Sequence, residues 1–298
     1  MSYNYRKKRI QQIIKYWGMQ KNHDLMASYK MKSEDFIPLK MSIKLFICAA
    51  TGISYTDNDK IFLHHLEKAK KNLTNITPNG GVVPKKEFQI EYNLFLREWC
   101  KVMKKMTKNK PSLLSRFRTT PNIRIKFGKE IEANKKRELN TSFPHSDAWV
   151  EGPWGMNCFV PILGDVNKNN LLYYNPKEFK EVFLKTAKTY KEMQWVLDYY
   201  EPMPKLIPQI GKIYISDYAL VHKTFRKTKS KTRISIDTTV FIGNHLPHKD
   251  RMHEYKKQIP NYGIDEFRSS NRYEKDEIMD KKSTFSHYTK SLLNTVKI

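Results

Sequence analysis

Apolar residues recur along this chain in two rhythms, and the change between them falls near residue 120. Ile10, Ile13, Ile14 and Trp17 are spaced 3, 1 and 3 apart, the stripe of an amphipathic helix. The segments Asp59–Ala69 and Glu91–Met103 repeat that spacing. Between them, Thr77-Pro-Asn-Gly-Gly and Val83-Pro84 read as a loop. From Asn122 the pattern alternates: Asn122-Ile-Arg-Ile-Lys-Phe places apolar and polar side chains on opposite faces, as a half-buried strand does. Asn157–Leu163, Asn170–Tyr174, Lys212–Ser216 and Thr232–Phe241 continue as strands, interrupted by a helix predicted over Lys180–Tyr190. Short strands separated by turns predict a mainly β sandwich or barrel with helical decoration. The expected organisation is a helical region over 1–118, a β core over 119–245 and a polar extension over 246–298.

Composition adds bounds. A hydrophobic fraction of 39% and an aromatic fraction of 12% exclude a disordered chain and suffice for a core. Cys48, Cys100 and Cys158 stand far apart, which excludes a zinc ribbon or a disulfide framework and fits a reducing compartment. The basic start is followed by no apolar stretch of a signal peptide, and the longest greasy run, Ile43–Ile53, contains Lys44 and is too short to span a bilayer. The expectation is a cytoplasmic protein with no membrane partner.

The formal charge of +25 has two readings. One is the lysine- and asparagine-rich usage of AT-rich coding sequence; the other is the footprint of a polyanion partner. Residues 101–140 carry thirteen Lys/Arg against three Glu, the kind of cluster that neutralises phosphates. Yet no zinc finger, basic zipper or RNA-recognition motif accompanies it, so a nucleic-acid-associated protein stands as the second hypothesis.

The chemistry-bearing residues lie in the β half. His145-Ser-Asp147 is followed by His222 and then by Arg233-Ile-Ser235. Two histidines and one carboxylate are the donor set that holds non-haem Fe(II) while leaving coordination positions open. Positions two apart on a strand share a face, so His145 and Asp147 can chelate one ion while Ser146 points away. Two other candidates fall short. His65-Leu-Glu67 sits in a helical pattern, where positions two apart diverge, and His248-Lys-Asp250 is followed only by His253 and His287, with no arginine after His287 and little strand signal.

With these residues in order, the chain resembles the Fe(II)/2-oxoglutarate-dependent dioxygenases. The likeness is to the branch containing phytanoyl-CoA hydroxylase and the oxygenase-like proteins of streptomycin biosynthesis. The resemblance covers about residues 120–242 and includes the separation of eleven between His222 and Arg233. Phe159–Tyr173, with its turn and asparagines, and Pro208–Tyr214 resemble the family's intervening strands. The resemblance implies a double-stranded β-helix (a jelly roll, cupin-like) behind an N-terminal helical region. It implies Fe(II) on His145, Asp147 and His222, with O2 and 2-oxoglutarate as co-substrates. The far carboxylate of 2-oxoglutarate would pair with Arg233 and Ser235, with Thr224 and Asn157 as further candidates for the cofactor site.

The substrate side is less legible. Trp149, Glu151, Trp154 and Met156 form either a substrate wall or the packing of a lid. The run from Val221 to Ser235 holds six Lys/Arg and no acid; facing the pocket, it would suit a small anionic or phosphorylated metabolite. A zinc or manganese hydrolase or isomerase ranks lower, because it leaves Arg233-Ile-Ser235 without a role.

Overall fold

The computed structural model describes residues 2–118, 121–128 and 143–242 and the short strand Asn261–Tyr262. The elements run α1 (Tyr3–Trp17), β1 (Gln20–His23), β2 (Met26–Lys30), α2 (Ser33–Thr51), α3 (Asp59–Ala69) and α4 (Gln89–Thr107). Then follow β3 (Leu114–Arg118), β4 (Asn122–Lys126), α5 (Ala148–Glu151), β5 (Met156–Gly164), β6 (Asn169–Pro176), β7 (Tyr200–Pro202), β8 (Lys212–Asp217), β9 (Val221–Arg226), β10 (Arg233–Ile242) and β11 (Asn261–Tyr262).

Two antiparallel sheets face each other. In the first, β10 is central, paired with β5 on one side and with β4 and then β3 on the other, while β5 continues to β8, β2 and β1. The second runs β7-β6-β9, and His145 extends it by a bridge to His222. Taken in chain order from β4 to β10, with the bridge at 145 included, the chain changes sheet at every step except from β6 to β7, which pair in the second sheet. That order (β4-β10-β5-β8 over 145-β9-β6-β7) is a double-stranded β-helix.

Alternation along the strands explains the layering. On β10, Ile234, Ile236, Val240 and Ile242 enter the main core with Ile123 and Ile125 of β4 and Cys158, Val160 and Ile162 of β5. The opposite face of the same strands carries Arg233, Ser235, Asp237, Asn122, Arg124, Asn157 and Phe159 into the space between the sheets. The apolar face is covered by α2 and α4, where the Phe46 ring meets those of Tyr92, Phe88 and Phe95. Helix ends are specified locally: Asn58 Oδ1 accepts from the Lys60 and Ile61 amides to open α3, a cap worth about 1 kcal/mol.

Three features depart from the sequence expectation. Residues 20–30, inside the stretch read as helical, form a hairpin that adds to the β8 edge. The Lys180–Tyr190 helix is replaced by short 3-10 turns at Glu181–Leu184 and Lys191–Tyr199. Trp149 explains that difference: its indole donates to the Phe183 carbonyl at 2.7 Å and its own carbonyl accepts from Ala187, so this backbone is engaged outward. Finally, the Thr77–Pro84 loop is a strap on the open edge of β4. Val82 N donates to Ile123 O and Ile125 N to Gly80 O, at 2.9 and 2.7 Å. Gly80 has φ +80°, and a Cβ there would run into the Ile125 carbonyl. Among the described residues, no helix is long and apolar enough to cross a membrane. Almost all of 246–298, including His248 and Asp250, lies outside the described residues, as do 119–120 and 129–140 of the basic stretch.

Candidate metal and co-substrate site

The cavity between the sheets, about 220 Å³, is lined by every residue named from the sequence as a metal or co-substrate candidate: His145, Asp147, His222, Thr224, Arg233, Ser235 and Asn157. His145 and His222 form a reciprocal backbone pair, each amide donating to the other's carbonyl at 2.8 and 2.9 Å. Residues so paired put their side chains on the same face, and the two imidazoles lie 4.5 Å apart, centroid to centroid. Asp147, expected on a strand, instead opens α5 with helical φ and ψ of −62° and −20°. That turn still brings its carboxylate back: Oδ1 lies 3.9 Å from His145 Nε2 and Oδ2 lies 4.0 Å from His222 Nε2. One ligand atom from each of the three residues falls within a 4.8 Å cluster.

The surroundings prepare these groups. His145 Nδ1 is 2.8 Å from the Phe143 carbonyl, so it carries the proton and leaves Nε2 a lone pair facing the cluster. Metal-binding imidazoles are oriented in this manner. Burial, and then the neighbouring His222, hold His145 well below the usual imidazole value, which keeps it uncharged. Tyr190 stacks on His145 at 4.4 Å. Asn157 donates from Nδ2 to Asp147 Oδ2 at 3.0 Å, fixing the carboxylate. The charge and donor types suit a divalent ion of intermediate softness.

Deeper in the cavity, Arg233 is buried, 1% exposed, with its guanidinium 5.0 Å from the Phe159 ring centre. Its one hydrogen bond among the described residues is to Asn170 Oδ1 at 3.4 Å, and no carboxylate pairs with it there. Burial pulls its pKa down to about 9. Ser235 Oγ, two residues along the same face of β10, is also buried and has no partner among the described residues. A buried cation without an anion is costly, and a carboxylate bound at this end of the cavity would offset that cost. Both orphaned groups fit an α,ω-dicarboxylate reaching inward from the histidine–aspartate cluster.

Other expectations sort as follows. Trp149 is fully buried and serves packing, as does Met156; Glu151 lines the cavity. From the basic run after His222, only Arg233 lines the cavity, while Lys227, Lys229 and Lys231 are exposed. Arg124 and Lys126 of β4 line the cavity instead, alongside Asp237, and burial holds Lys126 well below the ordinary lysine value. His65 lies on α3, away from the cluster. Sequence reasoning missed the strap over the cavity, the Asn170 contact and the work of Ser146, whose serine hydroxyl was the only available signal. On α4 and its neighbours, Lys101 and Lys105 are paired with Glu98, Glu34 and Asp35.

No protein-family model matches the chain, and no curated protein matches it in sequence. Solved structures similar to it include the non-haem alpha-ketoglutarate-dependent epimerase SnoN from nogalamycin biosynthesis (TM-score 0.40, 9% identity, 83% of this chain and 91% of that one). The carbocyclase SnoK from the same biosynthesis is similar at TM-score 0.41 and 8% identity, over 84% of this chain and 91% of that one. AviO1 from Streptomyces viridochromogenes Tue57 is similar at TM-score 0.42 and 14% identity, over 80% of this chain and 96% of that one. The fold stands on the strand order, and the site on its own distances.

Proposed function

We propose that the chain is a non-haem Fe(II)- and 2-oxoglutarate-dependent oxygenase that hydroxylates a small polar metabolite. The observation that carries this reading is Arg233: a fully buried guanidinium with no acid partner among the described residues, in the same cavity as His145, Asp147 and His222. A simple metal hydrolase has no need of such a group.

In this reading the two Nε2 atoms and one Asp147 oxygen hold Fe(II). Arg233 takes the distal carboxylate of 2-oxoglutarate in a forked, charge-assisted pair, and Ser235 donates its hydroxyl to the same group. Thr224 and Asn157 are the further polar neighbours, the latter chiefly by steadying Asp147. Bound iron, 2-oxoglutarate and O2 together supply an oxidant able to attack a C–H bond, with release of succinate and CO2. The protein's own contribution is orientation and exclusion of water. Phe159 and Tyr190 wall the site, and residues of the Thr77–Pro84 strap line it along the β4 edge.

The test is an anaerobic titration of the apo-protein with Fe(II) and then 2-oxoglutarate, read by the visible charge-transfer absorption of the chelate. A band that forms in wild type and is lost in Arg233→Ala at limiting 2-oxoglutarate supports the reading. Iron uptake without any band would remove 2-oxoglutarate from it.

A further inference from the structure

Ser146, the residue between the two candidate ligands of the first segment, turns inward rather than to solvent: it is fully buried. Its Oγ donates to the Tyr218 carbonyl at 2.6 Å and accepts from the Ala148 amide at 3.1 Å. Tyr218 belongs to the turn that leads from β8 into β9, four residues before His222. Its phenol donates to Glu151 Oε2 at 2.5 Å and lies 3.0 Å from Thr239 Oγ1, which also bonds Glu151 at 2.7 Å. The ring packs on Gly155, where a Cβ would approach it to 2.7 Å. One tyrosine therefore touches the His145–Asp147 turn, the helix after it and β10.

The same turn is anchored from the other side of the molecule. Asp217, fully buried, accepts from Arg6 Nη1 at 2.7 Å and pairs with Arg9 Nη1 at 3.5 Å, both from α1. Asp217 Oδ1 also accepts from the Ala219 amide at 2.8 Å. The second nitrogens of the two arginines reach the Pro153 and Trp154 carbonyls, at 3.1 and 2.7 Å. Each guanidinium thus ties the turn before His222 to the bend after Asp147.

We propose that Ser146, Tyr218, Asp217, Arg6 and Arg9 form a positioning frame, in which α1 sets the angle between the two segments that carry the metal ligands. The frame rests on the ligand reading given above. The bonds described join these residues to one another, to backbone groups and to Glu151 and Thr239; the frame acts by holding the backbone of the ligand residues, and outer partners of metal ligands commonly change affinity by about ten- to a hundredfold.

Removing Arg6 or Arg9 leaves an uncompensated buried charge and risks unfolding, so the test uses Ser146→Ala and Tyr218→Phe in the full chain. The probe is Co(II), followed by its visible d–d absorption. Both variants are expected to bind Co(II) about tenfold more weakly, with altered band intensity, and Ser146→Thr to recover wild-type affinity. Ser42→Ala removes a comparable buried bond, to Leu39 O at 2.8 Å in α2; it should leave Co(II) affinity unchanged whatever its effect on melting. Wild-type affinity and band shape in Ser146→Ala and Tyr218→Phe, with binding lost in Asp147→Ala, would overturn the frame alone. A wild type that takes up no Co(II) would overturn the ligand reading and the frame with it.

Discussion

At the inner end of the cavity the defining side chains come from β-helix strands or the residue just after one, whereas the outer end is closed by a strap from the N-terminal half. The two ends also treat charge differently. At the outer end, Arg124 pairs with Asp237, which accepts from Asn122 as well, and Glu151 is held by Tyr218 and Thr239. At the inner end, Arg233 is more deeply buried and has no acid among the described residues. The paired charges of the outer end satisfy one another, whereas a buried charge without its counter-ion carries a cost that a bound anion would offset. The strap over 77–84 is held by backbone bonds to β4 and can be changed without touching the inner groups.

The largest expected break in that comparison is Asp147→Ala. Two imidazoles remain, but the charged ligand is gone, so Fe(II) uptake and 2-oxoglutarate turnover should fall to background. Circular dichroism should stay at wild type, because Asp147 is partly exposed at the head of a four-residue helix. Retained turnover would remove Asp147 from the ligand set. Next is Arg233→Lys, which keeps the charge and loses the fork. Loss of a hydrogen bond to a charged group costs about 1.5–3 kcal/mol, so 2-oxoglutarate affinity should drop about ten- to a hundredfold while iron affinity holds. Equal losses of both would mean that Arg233 supports the ligands rather than the co-substrate.

The same contrast separates what the sequence discloses from what it hides. On β10 the alternation of Arg233, Ser235 and Asp237 with Ile234 and Ile236 tells which face is wet, because a strand's period is two. His145 and His222 were recognisable as partners by residue type and order, although their backbone pairing was not. Asp147 was placed by the wrong local geometry, a strand instead of a helical turn, and still reached the cluster. By contrast, the strap reads as an ordinary Gly- and Pro-marked loop; its seat on the β4 edge depends on a non-local approach at Gly80 that no local pattern encodes. The 180–190 stretch has a helical rhythm, but Trp149, more than thirty positions earlier, claims its backbone. The strand rule sends Ser146 outward, but the helical turn at Asp147 buries it instead.

Gly80→Ala probes the outer end alone. The substitution places a Cβ against the Ile125 carbonyl at a positive φ, a strain of about 1–3 kcal/mol. It should lower the melting temperature and loosen the strap, while anaerobic Fe(II) and 2-oxoglutarate titrations match wild type. A lost chelate band would show that the two ends are one cooperative unit.

Thr224→Val is the finest of these tests. Thr224 lies on β9 two residues beyond His222, on the same face, half-buried against the cavity, opposite Leu171 on β6. Valine keeps its branched shape and its suitability for a strand, so any change reports the hydroxyl alone. If the hydroxyl bonds the co-substrate, the loss is that of one neutral hydrogen bond, about 0.5–1.5 kcal/mol, or up to about tenfold in 2-oxoglutarate affinity. Unchanged affinity would make Thr224 a strand residue that happens to face the cavity, and would shorten the inner end to Arg233 and Ser235. The measurement is a parallel anaerobic titration of wild type and of the variant, each loaded with Fe(II), with limiting 2-oxoglutarate, read by the band intensity. A change in Fe(II) affinity without one in 2-oxoglutarate would instead tie the hydroxyl to the orientation of His222, and so to the frame that Ser146 and Tyr218 provide on the other side of the ligands.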